Sequence, residues 1–325
     1  MIINNCPSTL KKGLDTYSKT ALNRLFNGRK VGPTLPYESP ISNTDTEELF
    51  KENKKRLSIS GVQEKFSVLL ERNKLRLINE GEQGQYILKP IPNVGSKTEQ
   101  IPANEHLSMQ IARQVFGIET AENGLVFFQN GDPAYITKRF DLNEDGTKLA
   151  VEDFATLAKR TPQTHGTDFK YSGNYLEMFD LLKQYVPAYP IEALKLFKLI
   201  LFNYLISNGD AHFKNFSIIE TSMGDFKLSP AYDLLNSRIH IEDRDFALED
   251  GLLPLDKTTG KITEQFLKLA ELVGISEKQS TKVFKEITSH ENKVLDLIEL
   301  SYLHEKTKRN YAQAYQTRLK KLLRT

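Results

Sequence analysis

The chain has no tryptophan and a single cysteine, Cys6, among its 325 residues. One cysteine excludes an intramolecular disulfide and any zinc centre built on cysteines. The six histidines are scattered without the HExxH spacing of a zinc protease, so a structural or catalytic zinc is not expected. No run approaches the roughly 20 consecutive apolar residues of a membrane helix, and the N-terminus lacks a signal-peptide core. Charge of one sign is also missing: 44 Lys and Arg against 42 Asp and Glu leave +2, too little for a strong polyanion-binding field. Neither GxGxxG nor a P-loop occurs, and there is no internal repeat and no low-complexity tract. What remains is a chain with 39% apolar and 26% charged residues, the composition of a globular protein with a sizeable core. Low cysteine use and the lack of a membrane segment lead us to expect a reducing cytoplasm.

The most informative stretch is Asn208-Gly209-Asp210-Ala211-His212-Phe213-Lys214-Asn215, straight after the apolar run Leu199–Ile206. An Asp followed five positions later by an Asn is the spacing of a kinase catalytic loop. There the Asp receives the proton of the attacking hydroxyl, and the Asn oxygen holds Mg²⁺ on the phosphates. Hydroxyl and metal must be served from one short turn, which fixes the separation. Asn, Gly and Asp also build ordinary turns, so the spacing needs company.

Company lies on both sides. Downstream, Asp225–Leu228 reads as a short strand leading into Pro230-Ala231-Tyr232-Asp233-Leu234. Asp233, 18 positions after Asn215, stands where kinases place a second metal-binding Asp. It could equally cap the next turn. Upstream, Gln85–Pro90 alternates like a strand that ends in Lys89 and is stopped by Pro90. A kinase needs one such Lys for the α- and β-phosphates and a Glu on the next helix to position it. Glu105 lies in the first turn of the next helical pattern, where a carboxylate also suits the helix dipole. The segment Leu57–Leu70 could be a turn covering phosphates, but its single glycine makes the signal weak.

Together with Ile136–Asp141 and Glu152-Asp153-Phe154, these elements occur in an order that resembles the HipA family of bacterial toxin kinases, over about residues 55–300. The Asn-Gly-Asp-x-His-x-Lys-Asn element is the most specific piece. The resemblance implies an α+β, protein-kinase-like two-lobed fold: a mixed N-terminal lobe over 1–141 and a mainly α-helical C-terminal lobe over 142–325. It implies ATP and Mg²⁺ as cofactors and a serine or threonine on a protein as acceptor. Carried over by position, Asp210 is the catalytic acceptor of the proton and Asn215 and Asp233 hold the metal. Lys89 binds the phosphates, His212 lies close to them, and Glu105 supports Lys89. Val62, Gln63, Glu64 and Lys65 cover the nucleotide, while Lys138, Arg139 and Phe140 form the hinge that meets adenine. Ser58 matches a serine that such kinases phosphorylate on themselves.

Two departures refine the resemblance. Only 57 residues precede Ser58, whereas full-length HipA proteins carry an extra N-terminal subdomain before that loop. Ser60 stands where HipA has a small non-hydroxyl residue. Both features are similar to HipT, the toxin of three-component HipBST systems, so Ser60 joins Ser58 as an expected autophosphorylation site. The partners implied are a HipS-like small antitoxin, a HipB-like helix-turn-helix DNA-binding protein and an aminoacyl-tRNA synthetase substrate, tryptophanyl favoured. Plain loop serines remain the competing reading of the Ser58–Ser60 pair.

The coarse pattern fits two lobes. Strand-like runs dominate 66–90 and 120–140, with one helix between. Helical patterns follow at 152–159, 171–185, 190–206, 263–273, 276–289 and 291–303, then a basic tail helix over 306–324. Residues 1–55 read as polar, with a short helical start, a proline-marked loop and a helix-like stretch over 44–55. The tail helix reads as a solvated basic face; contact with DNA inside a complex is the functional alternative. Two other functions stay open: a catalytically weak kinase-fold subunit of a DNA-binding repressor complex, and a small-molecule phosphotransferase. Intact Lys89, Asp210, Asn215 and Asp233 argue against the first, and the Ser-Gly-Val-Gln-Glu-Lys loop against the second.

Overall fold

The structure is a computed structural model that describes residues 3–40, 64–93, 96–143, 145–241, 244–258 and 260–324. The expected helix over 44–55, both Ser58 and Ser60, and the loop residues Val62 and Gln63 lie outside the described residues. The chain divides into two compact units. The first comprises residues 1–110, 121–147 and 296–308; the second comprises 111–120, 148–295 and 309–325.

In the first unit, five strands form one antiparallel sheet: β1 Phe66–Glu71, β2 Lys74–Leu77, β3 Tyr86–Lys89, β4 Asn123–Phe127 and β5 Pro133–Lys138, in the order β2-β1-β3-β5-β4. Strands of 4–6 residues suit the sequence, which alternates and is broken by Arg72-Asn73 at positive φ and by Pro90. The register sets Lys89 opposite Tyr135 and Leu88 opposite Ile136.

The N-terminal residues, which read as polar, supply much of this unit's core. Cys6, Tyr17, Ala21, Leu25, Phe26, Val31 and Leu35 pack with Phe66, Val68, Tyr86, Leu88, Val126 and Ile136. Helix α1, Lys19–Phe26, is capped by the Ser18 hydroxyl and ends at Asn27 in the left-handed region. Backbone bonds stitch this segment to β4: Leu125 N donates to Pro7 O at 2.7 Å and Phe127 N to Pro33 O at 2.8 Å. Gly124 suits this approach, because a Cβ there would sit a tight 3.1 Å from Leu25 and 3.2 Å from Ser8. The short helical start is borne out as α1, but Cys6, Tyr17, Val31 and Leu35 hang from irregular backbone on either side of it, which has no period to read.

The helix after β3 is α2, Ile101–Gln114. In the second unit, β6 Val151–Asp153, β7 Ser217–Glu220 and β8 Phe226–Leu228 make a small antiparallel sheet. This corrects the helix expected over 152–159. Val151 pairs with Ile219 and Asp153 with Ser217, and the Asp153 carboxylate then caps a single turn, α3 Phe154–Leu157. Pairing with β7 outweighs the weak local helix preference of three residues. Another short turn, α4 Pro162–His165, precedes α5 Tyr175–Tyr185. The helix expected from 171 begins at Tyr175, because Asn174 and Glu177 form a reciprocal capping box and Gly173 sits at φ +85°.

Helix α6, Tyr189–Leu205, is apolar nearly all round and accordingly buried. Its one buried acid, Glu192, accepts the amide of Leu228 at 3.1 Å and so ties the helix to β8. The helices α7 Ile262–Leu272, α8 Glu277–Thr288, α9 Glu291–Leu300 and α10 Glu305–Leu323 complete the chain. Phe197 and Tyr204 of α6 pack with Phe246, Phe266 and Phe284 in edge-to-face and tilted pairs, with ring centroids 5.4–6.3 Å apart.

Candidate active site

The first unit holds one buried ion pair among its described residues. Lys89 ends β3 and Glu105 lies in the first turns of α2; Lys89 Nζ donates to Glu105 Oε1 at 2.7 Å. Their side chains are 5% and 4% exposed. The ammonium also lies 5.3 Å from the centroid of the Tyr135 ring, its cross-strand neighbour. Beyond β5, Arg139 grips Asp141 with two bonds of 2.9 and 2.5 Å, and Lys138 Nζ reaches Asn27 at 2.6 Å. Phe140 follows them on the same segment. Glu64 and Lys65 are half-buried just before β1.

In the second unit, α6 stops because Ile206 leaves helical geometry and Ser207 turns to φ +58°. The loop after it is held from within. Asn208 Nδ2 donates to Asn203 Oδ1 at 2.8 Å, and Gly209 N to the Ser237 hydroxyl at 2.7 Å. Asp210 N reaches Asn208 Oδ1 at 3.3 Å, an Asx turn. Asn215 Nδ2 donates to the backbone oxygen of Asp210 at 2.8 Å. That bond fixes the carboxamide, and among the described residues its oxygen accepts nothing. The Asp and the Asn therefore sit on one short turn, locked at the spacing the sequence shows.

His212 is buried, and burial pulls its pKa down to about 4, so the imidazole is neutral at physiological pH. Its Nε2 is 3.7 Å from Asp210 Oδ1. Asp233 follows Tyr232, whose hydroxyl donates to Lys214 O at 3.1 Å and touches Ser217 at 2.5 Å. Ala231 pairs with Thr120, with its N donating to Glu119 O at 2.8 Å. These contacts hold Asp233 at φ +54°, a conformation rare outside Gly, Asn and Asp. Asn208 Nδ2 lies 3.5 Å from Asp233 O, which links the two loops. Sequence reasoning named Asp210, His212, Asn215 and Asp233 but missed Asn203, Ser237 and Tyr171. Tyr171 donates to Asp210 Oδ1 at 2.6 Å across 39 positions, and no local pattern announces it.

Among the described residues no three His, Cys, Asp or Glu side chains gather to hold a metal unaided. Asn215 and Asp233 together offer hard oxygen donors, one amide oxygen and one carboxylate. Such a set suits Mg²⁺, which takes one or two carboxylates and completes its shell with phosphate oxygens and water.

A mixed unit with a buried strand lysine–helix glutamate pair, and a mainly helical unit with this loop pair, make a protein-kinase-like α+β fold. Residues 57–294 match the family described as HipA-like C-terminal domain, and the chain belongs to that family. It is 26% identical over 320 residues to a Haemophilus influenzae protein described as "Putative kinase", covering 91% of this chain and 90% of that one. It is 33% identical over 230 residues to the "Putative kinase Y4dM" of Sinorhizobium fredii, covering 65% of this chain and 53% of that protein. Among solved structures it resembles the HipA chain of a Shewanella oneidensis complex of HipA, HipB and operator DNA. There the TM-score is 0.60 and identity 20%, with 81% of this chain and 63% of that chain covered. It also resembles the Helicobacter pylori proinflammatory kinase CtkA, with TM-score 0.53, identity 14%, and 79% and 90% covered. The chain thus spans less than two thirds of the Shewanella HipA and about half of Y4dM. No helix among the described residues is long and apolar enough to cross a membrane.

Proposed function

We propose that the chain is an ATP-dependent serine/threonine protein kinase and the toxin of a toxin–antitoxin system. The observation that carries this reading is the Asp210–Asn215 turn, in which the Asn amide is pinned by the Asp backbone and its oxygen is left for a ligand. ATP with Mg²⁺ would supply the transferable phosphoryl group and neutralise charge that develops on it. Asn215 and Asp233 would hold the metal through oxygen. Asp210 takes the proton from the acceptor hydroxyl. Lys89, aimed by Glu105, would meet the α- and β-phosphates. Neutral His212 adds no charge beside them. Val62, Gln63, Glu64 and Lys65 cover the nucleotide, and the backbone of Lys138, Arg139 and Phe140 meets adenine.

The finer assignment is HipT-like. The acceptor would be a serine of an aminoacyl-tRNA synthetase, tryptophanyl favoured, and modification would inhibit translation. A HipS-like antitoxin and a HipB-like DNA-binding protein would be the partners, the latter supported by the HipB complex of the Shewanella relative. Ser58 and Ser60 would be modified by the kinase itself. A phosphate there adds about −1.5 to −2 charge next to a loop that must receive a triphosphate, which lowers activity. Incubation with labelled ATP and a cell lysate tests the reading. A labelled synthetase band absent with Asp210→Asn supports it. Wild-type protein that labels nothing, itself included, leaves the kinase-fold repressor subunit as the better account.

A further inference from the structure

Tyr171 belongs to none of the motifs that suggest a kinase, yet it makes the shortest side-chain bond to Asp210. Its hydroxyl donates to Oδ1 at 2.6 Å. The half-buried residue is fixed through its ring and its backbone. Its ring stands edge-on to His212, with centroids 5.0 Å apart and planes at 73°. Its backbone N donates to Asp168 O at 2.8 Å and its O accepts from Glu249 N at 2.9 Å. Next to it, Lys170 O accepts from Phe213 N at 3.1 Å, which joins this turn to the Asp210–Asn215 loop.

The two oxygens of Asp210 are therefore unlike. Oδ1 is taken by Tyr171, with His212 Nε2 at 3.7 Å beyond it. Oδ2 accepts no hydrogen bond from the described residues, and the side chain is 42% exposed. A carboxylate turns easily about its last torsion, a broad two-fold well. A short O–H···O⁻ bond from a rigid phenol removes that freedom. Burial first, and then the charge of Asp210, push the Tyr171 phenol upward, so it stays a proton donor at neutral pH.

We propose that Tyr171 is a positioning residue for phosphoryl transfer, holding Oδ1 of Asp210 so that Oδ2 alone is presented to the acceptor hydroxyl. The inference rests on the kinase reading above. The acceptor proton passes to Oδ2, while the Tyr171 proton stays on the phenol. In this role Tyr171 acts only through the carboxylate it orients. Losing that orientation leaves the base present but misaligned, which costs rate rather than affinity.

The test compares wild type with Tyr171→Phe, which keeps the ring against His212 and deletes only the hydroxyl. Labelled ATP is the donor and myelin basic protein the acceptor. We expect kcat to fall about ten- to hundredfold, with KM for ATP and the melting temperature unchanged. Tyr171→Leu, which also removes the ring, should lose melting temperature while its kcat falls no further than that of Tyr171→Phe. A Tyr171→Phe enzyme with wild-type kcat overturns the inference. So does a loss of kcat matched by equal losses in ATP affinity or stability, since that is what a purely structural role produces. A wild-type chain that transfers no phosphate to myelin basic protein, to itself or to any lysate protein removes the kinase reading and this inference together; a transferring wild type with an equal Tyr171→Phe removes this inference alone.

Discussion

Lys89 and Glu105 meet at 2.7 Å with both side chains about nineteen-twentieths buried, on a strand end and a helix start separated by 16 positions. Two charges so far from water gain little over a well-packed apolar pair, but removing one of them takes from the other, still buried, the contact at 2.7 Å.

The first prediction follows from that asymmetry. Glu105→Ala should destabilise the first unit by about 3–5 kcal/mol, because the ammonium of Lys89 loses its carboxylate in a buried place. The double variant Lys89→Met, Glu105→Leu should regain most of that loss and still bind no ATP. Thermal unfolding and calorimetric titration with ATP read the two quantities separately. If the double variant is as unstable as Glu105→Ala, the pair stabilises the fold in its own right and the argument from desolvation is wrong.

Asp233 offers a cleaner separation of fold from chemistry. Its backbone sits at φ +54°, and asparagine is among the few residues that tolerate this region. Asp233→Asn should therefore keep the wild-type melting temperature while phosphoryl transfer falls by a factor of hundreds or more, on the order of 3 kcal/mol or above in barrier. Its residual activity should need higher Mg²⁺. Asp233→Ala should lose stability as well, by about 1 kcal/mol, from the strained backbone. Wild-type turnover in Asp233→Asn at ordinary Mg²⁺ would remove the metal assignment.

These residues show what the sequence made legible. Lys89, Asp210, Asn215 and Asp233 lie on short local patterns: an alternating strand cut by Pro90, a five-residue spacing after an apolar helix, and an Asp past a hairpin. Each pattern is carried by neighbours in the chain, so it survives without a fold. Tyr171 and Arg318 touch the same loop from 39 and 111 positions away, and tertiary packing alone brings them there. The basic tail shows the cost of local reading. Tyr311, Ala314, Leu319 and Leu322 are buried as its apolar side suggests, but Leu323 is exposed and Arg318, which looks solvated by composition, is 2% exposed.

His106 gives a pH prediction. It is buried in α2, its Nε2–H donates to Ser8 O at 2.9 Å, and its Nδ1 has no partner among the described residues. Burial pulls its pKa from 6.5 down to about 4, against a smaller opposite pull from Ser8. The unfolded chain therefore binds the proton more tightly than the folded one between those values. Stability should be complete above pH 6.5 and fall as the pH drops towards 4, by up to about 3 kcal/mol from this group. His106→Gln should be weaker than wild type at pH 7.5 yet show a shallower decline over that window. Urea unfolding at pH 7.5, 6 and 4.5 measures both slopes, and parallel slopes would show that His106 is not the titrating group.

Arg318 yields the last prediction. It rises from α10 into the second unit's core, where its guanidinium lies 4.7 Å from the centroid of Tyr204. Its Nε donates to the Ser207 hydroxyl at 3.2 Å and one terminal nitrogen to Arg244 O at 3.0 Å. The other terminal nitrogen is paired with Asp245, which Lys321 also reaches at 3.1 Å. Burial raises the pKa of Asp245, but the two cations beside it outweigh burial and hold it below its usual range. Ser207 is the residue at φ +58° that ends α6 and opens the Asn208–Asn215 loop, so one side chain ties the tail helix to that loop. Arg318→Met keeps bulk against Tyr204 and removes the fork; it should cost about 2–4 kcal/mol of stability. Arg318→Lys should recover less than half of that, since a point-like ammonium cannot serve three acceptors in one plane while stacking on a ring. Asp245→Asn, at a half-exposed site that keeps Lys321 in solvent, should cost under about 1 kcal/mol. Denaturant unfolding of the three variants gives the order Arg318→Met, Arg318→Lys, Asp245→Asn from most to least damaged. If Arg318→Lys behaves as wild type, charge alone matters there, and the planar fork is not what holds the loop to the tail.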